Sequence, residues 1–187
     1  MSWAIPKLPS IPTGNRIAFF GPMASGKTYC ADYLESQYGY HKFTLASKLK
    51  SICYELYGIQ SKDGDGRRMY QEVGDALRSF DNDVFTKYTL SSINQRYSTE
   101  KVVIDDLRLP AEATLLKEAG FILVGINTPF DVRQERIDRL YPSVPQGRQS
   151  HATEVSWEAI PMDTSVNSSG PADLTDLDDL MAFYDTD

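Results

Sequence analysis

The sequence predicts an α/β protein in which a parallel β-sheet is covered by helices on both faces. Short apolar runs of strand length lie at residues 16–20, 101–106 and 121–126, and shorter strands are predicted at residues 42–45 and 164–166. Buried parallel strands have this continuous apolar character, because helices cover both faces of such a sheet. Helical segments separate the runs, and this alternation favours the parallel arrangement.

Helices are predicted where apolar residues recur at helical spacing between the strands. The predicted helices span residues 26–39, 46–57, 67–80, 84–97, 111–119, 131–140 and 174–184. Gly39 and Gly120 stand at the ends of two of them, and glycine readily adopts the left-handed conformation that terminates a helix. In the second helix, the apolar residues expected on the inner face are Leu49, Ile52, Cys53 and Leu56.

The chain has 187 residues, which is enough for one domain with a sizeable core. We expect an extended N-terminal segment at residues 1–15, where three prolines occur, and a single domain over residues 16–187. Within that domain, the helices of residues 46–97 are predicted to form an insertion beside the substrate. Residues 133–150 are predicted to form a lid.

The negative charge of the chain is concentrated at its C-terminal end. The formal net charge is -7, yet the first 148 residues contain 19 Lys and Arg against 17 Asp and Glu. This mildly basic body suits a small, phosphate-rich ligand and gives little support to a non-specific binder of duplex DNA. No apolar run approaches the roughly 18 residues of a membrane-spanning helix. The two separated cysteines favour reduced thiols in a cytoplasm, the host cytoplasm if the protein is viral.

The most specific motif is a phosphate-binding loop, GPMASGKT, at residues 21–28. It follows a predicted strand and opens a predicted helix, which is the setting that gives the G-x-x-x-x-G-K-[ST] pattern its meaning. Glycines let several backbone N–H groups converge on phosphate oxygens, and the helix N-terminus adds positive potential. Lys27 is expected to reach the β- and γ-phosphates, and the Thr28 hydroxyl to ligate Mg²⁺. The residues expected to bind the nucleotide here are Gly21, Ala24, Ser25, Gly26, Lys27 and Thr28.

Two carboxylates, Asp105 and Asp106, end the strand predicted at residues 101–106. Ligand sites of open α/β sheets lie at the carboxyl ends of the strands, and Mg²⁺ takes oxygen ligands. One of the pair is therefore expected to face the phosphate-binding loop, and only one, because side chains alternate along a strand. The alternative is a structural role in which a strand-end carboxylate caps the next turn. Arg108 could hold a phosphate through its fork of donors.

Cationic side chains between residues 46 and 97 are candidates for binding a phosphorylated acceptor, because transfer between two phosphate groups requires cations that cancel their repulsion. The candidates are Lys48, Arg67, Arg68 and Arg78. Arg78 is the strongest, since it lies near the C-terminal end of its helix in GDALR. For the others, a solvated surface charge is the alternative interpretation.

Three arginines recur at i, i+3 and i+6 in the helix predicted at residues 131–140: Arg133, Arg136 and Arg139. They lead into a loop at residues 141–150 that contains Arg148. This pattern is typical of a lid that brings arginines onto a transferring phosphate and excludes water. Acidic residues are interleaved with the arginines, so a charged, exposed helix is the alternative.

Together, these segments resemble the nucleoside monophosphate kinases, and above all the phage-type deoxynucleoside monophosphate kinases. The resemblance runs over residues 16–183. Besides the loop, it rests on FTLASKLK at residues 43–50, YQEVGDALR at 70–78, IDDLR at 104–108, HATE at 151–154 and the dipeptide Val166-Asn167. The loop is specific by itself, and the other stretches are specific in combination and in this order.

The resemblance implies a three-layer P-loop kinase fold with a parallel five-stranded sheet, ATP as donor, Mg²⁺ held by Thr28 and Asp106, and a deoxynucleotide acceptor. The residues implied at the reaction centre are Lys27, Asp106, Arg108 and Arg136. Arg133 and Asn167 are implied on the donor side, with Asn167 near the adenine. The residues implied on the acceptor side are Lys48, Arg68, Gln71, Arg78, Asp105 and Glu154.

The expected function is therefore transfer of the ATP γ-phosphoryl group to a deoxynucleoside 5′-monophosphate. A second hypothesis is a P-loop kinase that phosphorylates a hydroxymethylated base, such as 5-hydroxymethyl-deoxyuridine, within DNA. It requires a nucleic-acid groove and a general base, for which Asp105 or Asp106 would serve. A third hypothesis, of a different class, is a non-catalytic nucleotide-binding switch. The preferred base is left open, as is a homodimer, and no membrane partner is expected.

Overall fold

The computed structural model describes residues 14–60, 65–140, 156–168 and 174–184, and its centre is a parallel sheet of five strands. The order across the sheet is β2-β3-β1-β4-β5. The strands are β1 (Arg16–Phe20), β2 (His41–Phe43), β3 (Val102–Ile104), β4 (Ile122–Asn127) and β5 (Thr164–Asn167). Every observed pair is parallel. The predicted α/β class, with five parallel strands between helices, is confirmed.

Seven α-helices are described besides the sheet. They are α1 (Lys27–Tyr38), α2 (Ser47–Tyr57), α3 (Asp65–Phe80), α4 (Val84–Arg96), α5 (Pro110–Glu118), α6 (Phe130–Leu140) and α7 (Thr175–Tyr184). A short 3-10 helix, Ser156–Ala159, precedes β5. Each helix begins and ends within two residues of its predicted bounds. Gly39 and Gly120 have φ angles of 71° and 80°, as their predicted role at helix ends requires.

The two faces of the sheet bury separate apolar clusters, because side chains alternate along each strand. Ile17, Phe19 and Val103 pack on the face that α1 and α7 cover. Ala18 and Ile104 point the other way, into a cluster with residues of α4 and α5. A side chain at the carboxyl end of β3 therefore belongs to one face or the other according to its position in this alternation.

A third apolar cluster joins α2, α3 and α4, through Leu49, Cys53 and Phe85 among others. Gly74 permits the close approach of α3 to α2, since a Cβ added there would lie 3.2 Å from Leu49 Cδ2. The prediction that Leu56 lies on the inner face of α2 is wrong, because its exposed fraction is 69%. Leu49 and Cys53 meet α3 and α4, whereas the last turn of α2 extends beyond these contacts.

Among the described residues, no helix combines the length and the apolarity needed to cross a bilayer. Of the N-terminal segment predicted at residues 1–15, only Gly14 and Asn15 are described. The lid predicted at residues 133–150 is described up to Leu140, so Arg148 lies outside the described residues. Glu154 lies outside them as well.

Candidate active site

The phosphate-binding loop connects β1 to α1 and has a tightly curled backbone. Gly26, immediately before α1, has a φ of 99°, and Ala24 also has a positive φ, of 60°. A Cβ added to Gly26 would lie 2.5 Å from Ser168 Oγ, so the Ser168 side chain would have to move. The left-handed conformation therefore favours glycine at residue 26, and the contact with Ser168 adds to that preference.

Lys27 lies across the inside of this loop. Its ammonium group donates hydrogen bonds to the carbonyl oxygens of Gly21 and Pro22, both at 2.8 Å. The Thr28 side chain is exposed at the start of α1. The first N–H groups of a helix have no acceptor within it, and they carry the positive end of the helix dipole. The loop thus combines backbone donors and a cation, which is the arrangement that binds phosphate.

Two side chains from other elements hold the loop from behind. Thr128, after β4, donates its hydroxyl hydrogen to the Ser25 carbonyl oxygen at 2.8 Å. Arg136 of α6 donates from Nη1 to the Ala24 carbonyl oxygen at 3.2 Å and from Nη2 to the Ser168 carbonyl oxygen at 2.8 Å. Arg136 therefore fixes the strained peptide of Ala24 and brings a positive charge to the loop. The structure places this predicted residue at the loop.

A cavity of about 390 Å³ lies beside the loop, at the carboxyl ends of β4 and β5. Its polar lining includes Asn127, Thr128, Arg133 and Asn167, and Trp157 supplies an aromatic surface. Arg133 and Asn167, which the sequence assigned to the donor side, are thus brought together. Asn167 is held in place by Asp176 Oδ2, which accepts hydrogen bonds from its backbone N–H and its side-chain amide. The sequence patterns did not single out Trp157.

On the other side of β1, Asp105 and Asp106 extend the end of β3 in two different environments. The hydroxyl group of Thr44 donates to Asp105 Oδ1 at 3.2 Å. Asp106 accepts backbone N–H groups on both oxygens, from Leu45 at 2.7 Å and from Ala46 at 3.1 Å. Burial raises the pKa of the Asp106 carboxyl above its ordinary value, and the two N–H donors oppose that rise. The metal-binding role assigned to Asp106 from sequence stays a prediction.

Arg108 follows on a loop whose backbone is held by Glu112 of α5. Glu112 Oε2 accepts the N–H groups of Arg108 and Leu109, each at 3.0 Å. Burial raises the pKa of the Glu112 carboxyl, an effect that these donors oppose, and the negative charge of Asp106 adds to the rise. The Arg108 side chain itself is exposed. Glu112 was not predicted, although a glutamate three residues after the N-cap residue, here Leu109, is a known capping signal.

Two predicted cations of the helical insertion lie on aromatic rings of α4. The Arg78 guanidinium carbon is 5.1 Å from the centre of the Phe85 ring, and Lys48 Nζ is 5.5 Å from the centre of the Tyr88 ring. Such cation–π contacts fix long side chains while leaving polar atoms for a ligand. The sequence identified the cations but not the aromatic residues beneath them.

The remaining acceptor-side predictions lie further out. Gln71 is exposed, but it precedes Gly74 by three residues and Arg78 by seven, so the three share one edge of α3. Arg68 is exposed and pairs with Glu72 through a 2.7 Å contact. Its role in the site therefore stays a prediction.

One curated protein shares recognisable sequence with this chain. It is a protein of Acanthamoeba polyphaga mimivirus named "Putative deoxynucleotide monophosphate kinase", which is 31% identical over 142 residues, or 60% of this chain and 74% of the mimivirus protein. This chain belongs to the deoxynucleotide monophosphate kinase family. It is accordingly an enzyme of the phosphoryl-transfer class. No family model matches the chain.

Solved structures of other kinases share the fold. A "putative kinase" of Chloroflexus aurantiacus superposes with a TM-score of 0.56 at 15% identity, covering 95% of this chain and 97% of that one. Shikimate kinase of Acinetobacter baumannii gives 0.52 at 14% identity, with 95% of each chain covered. The APS kinase CysC of Mycobacterium tuberculosis gives 0.53 at 15% identity, covering 91% of this chain and 99% of that one. At these identities the likeness establishes the P-loop kinase fold of this family member and nothing finer.

Proposed function

We propose that this protein transfers the γ-phosphoryl group of ATP to a deoxynucleoside 5′-monophosphate, which gives ADP and the deoxynucleoside diphosphate. The observation that carries the proposal is the placement of two unlike sites around the carboxyl ends of β1 and β3. The phosphate-binding loop follows β1. Beyond the end of β3 lie two cations, Lys48 and Arg78, each placed over an aromatic ring of α4. Kinship with the mimivirus protein favours a deoxynucleotide as the acceptor.

The donor triphosphate fits the loop. Its backbone donors and Lys27 bind the β- and γ-phosphates, and Arg136 adds charge from behind the loop. The left-handed conformation of Gly26 supports this assignment, because it lets the backbone of the loop curl so that its N–H groups converge. The cavity lined by Arg133, Trp157 and Asn167 would take the donor base. An aromatic face and amide groups are suited to a purine.

Mg²⁺ fits the same place with few protein ligands. Thr28 offers a hydroxyl at the start of α1, and the pair Asp105–Asp106 offers a carboxylate. Within residues 14–60, 65–140, 156–168 and 174–184, no three His, Cys, Asp or Glu side chains are grouped so that they could hold a metal ion. That suits Mg²⁺ in a kinase, where water and phosphate oxygens complete the octahedron. The ion would neutralise charge on the transferring group.

The acceptor phosphate would lie among Lys48, Arg78 and Arg108. We propose that further residues on this side also bind the acceptor: Asp105, Gln71, Arg68 and Glu154. Glu154 lies outside the described residues. We also propose that residues 46–97 act as the acceptor-side insertion and residues 133–150 as the lid of a single domain. The homodimer and the cytoplasmic location stay predictions.

This arrangement accounts for the chemistry without a general base. An oxygen of the acceptor monophosphate, already an anion at neutral pH, attacks the γ-phosphorus of ATP. The bond to the bridging oxygen breaks, and ADP leaves with that electron pair. The barrier is lowered by alignment and by cations that offset the charge of the two phosphate groups. Lys27 and Arg136 act on the donor side, and Arg78 and Arg108 on the acceptor side.

The test is transfer of label from γ-labelled ATP to each of the four deoxynucleoside monophosphates and to duplex DNA that contains hydroxymethylated pyrimidine. We expect labelled diphosphate with at least one monophosphate and none of the label in DNA. Lys27→Ala should lower kcat by at least about a hundredfold, whereas Lys117→Ala, a partly exposed lysine paired with Asp163, should not. Label in DNA alone, or full turnover by Lys27→Ala, would overturn the proposal.

A further inference from the structure

The neighbouring carboxylates Asp105 and Asp106 follow the end of β3 and have different partners. Val103 packs in the cluster that α1 covers, and Ile104 packs in the opposite cluster. Asp105 lies toward α1: Lys42 pairs with Asp32 of that helix, and the pKa of the Lys42 ammonium group is raised by this contact and by the nearby charge of Asp105. The register of β2 with β3 agrees, since Phe43 pairs with Ile104, and the next residue, Thr44, meets Asp105. Thr28, the expected metal ligand, is on α1.

Asp106 is engaged instead with the start of α2. Each of its oxygens accepts one backbone N–H, from Leu45 and from Ala46, across 61 and 60 residues of sequence. Ala46 is the N-cap residue of α2, and its methyl group cannot accept a hydrogen bond. The carboxylate from β3 therefore supplies the negative charge that the N-terminus of this helix favours. Lys48, the second residue of α2, is carried by the same turn.

We propose that Asp106 is a positioning residue, which holds the first turn of α2 and thereby Lys48 at the acceptor site, and that it is not a ligand of the metal ion. The expected effect on binding of the acceptor rests on the proposed kinase function, whereas the hydrogen bonds of Asp106 to α2 do not. In this proposal, Asp105 lies toward α1, the helix that carries Thr28, and Asp106 holds α2, the helix on the acceptor side.

Because Asp106 accepts two backbone hydrogen bonds, its replacement by the isosteric asparagine should have a different effect from the same replacement at Asp105. An asparagine has one side-chain acceptor oxygen, so Asp106→Asn satisfies one N–H and points its own NH₂ group at the other. Asp105→Asn has no such conflict, because the Thr44 hydroxyl can either donate or accept. The two substitutions remove the same charge from adjacent residues, and they are matched controls for each other.

Hydrogen exchange of residues 44–50 tests the structural part directly. We expect Asp106→Asn to raise exchange of this segment by at least about tenfold, and Asp105→Asn to leave it unchanged. In the wild-type protein, the amides of Leu45 and Ala46 should already exchange slowly. Fast exchange of these two amides in the wild type would overturn the proposal without any variant, so the test survives if Asp106→Asn fails to fold.

Steady-state and binding measurements test the consequence for catalysis. Asp106→Asn should raise the KM of the acceptor monophosphate by about tenfold, with little change in the Mg²⁺ concentration for half-maximal rate. Asp105→Asn should raise that Mg²⁺ concentration. A raised Mg²⁺ requirement in Asp106→Asn with unchanged exchange would assign Asp106 to the metal instead. If no monophosphate is phosphorylated, the exchange data and calorimetric binding of Mg²⁺-ATP still decide the position of Asp106 separately.

Discussion

Glu112→Ala removes the acceptor that holds the backbone on which Arg108 is carried. Glu112 Oε2 accepts the N–H groups of Arg108 and Leu109, each at 3.0 Å. A hydrogen bond to a charged group contributes roughly 1.5–3 kcal/mol when buried. Glu112 is half-buried, so the lower end applies to both bonds, and the free energy of unfolding should fall by about 3 kcal/mol. Arg108 should then lose its fixed position, and the acceptor KM should rise.

Glu112→Gln is the matched variant, because a single oxygen accepts both N–H groups. The glutamine carbonyl can take the place of Oε2, and the free energy of unfolding should change by less than about 1 kcal/mol. Glu118→Gln, an exposed glutamate on the same helix, should change it by less than about 0.5 kcal/mol. The difference in free energy of unfolding between the alanine and glutamine variants therefore measures the contribution of the acceptor oxygen, without that of the negative charge.

The pH dependence of the glutamine variant has a definite sign. Burial and the nearby charge of Asp106 raise the pKa of Glu112 in the folded protein, while Arg78 opposes the rise. Between the unfolded pKa and this raised value, the native state binds more protons than the unfolded state. The wild type should therefore gain stability relative to Glu112→Gln as the pH falls through that window. Asp106 titrates in both proteins, so the difference between them reports the titration of Glu112 together with its coupling to Asp106.

Urea unfolding followed by far-ultraviolet circular dichroism, between pH 4 and pH 8, measures both effects. We expect Glu112→Ala to lose much of its stability at every pH, and Glu112→Gln to lose little at pH 8. The difference in stability between the wild type and Glu112→Gln should grow as the pH falls toward 4. Equal losses for the two variants would refute the role of the acceptor oxygen. A wild-type advantage that shrinks with falling pH would refute the raised pKa.

Three further predictions follow from the donor side and the core. Gly26→Ala should abolish nucleotide binding in a calorimetric titration, because alanine strains the loop at a φ of 99° and its Cβ displaces the Ser168 side chain, whereas Gly39→Ala, with a positive φ of 71° far from the loop and open space, should cost stability only. ATP should change the fluorescence of the wild type but not that of Trp157→Phe, and a persistent change in that variant would remove Trp157 from the donor site. Burial raises the pKa of the Cys30 thiol to about 11, so an alkylating reagent at pH 8 should label it only after unfolding; labelling in the folded state would contradict this burial.

Most of the fold could be predicted from the sequence, because its signals are local. Buried parallel strands are short apolar runs, and the residues that end helices, such as Gly39, mark their own positions. Leu56 shows where local reasoning stops: its spacing places it with Leu49, but its burial depends on how far the neighbouring helices extend. That distance is a tertiary property.

The candidate site likewise has some residues that local sequence identifies and others that depend on tertiary contacts. The phosphate-binding loop is a contiguous motif, so its residues could be identified together. The bonds of Asp106 to Leu45 and Ala46 could not, because they join segments about sixty residues apart. Alternation predicted that only one of Asp105 and Asp106 faces the loop, but deciding which needs the register of β3 with its neighbours. Phe85 and Tyr88 look like ordinary core residues until the cations above them are placed.

The proposed function requires one site that holds a donor and an acceptor nucleotide at the same time. A compound that joins adenosine to a deoxynucleoside through five phosphates would occupy both halves. Its Kd, measured by calorimetry, should be at least about a hundredfold below that of ATP, and both a deoxynucleoside monophosphate and Lys27→Ala should weaken its binding. An affinity equal to that of ATP, with no competition from any deoxynucleoside monophosphate, would contradict a two-substrate site.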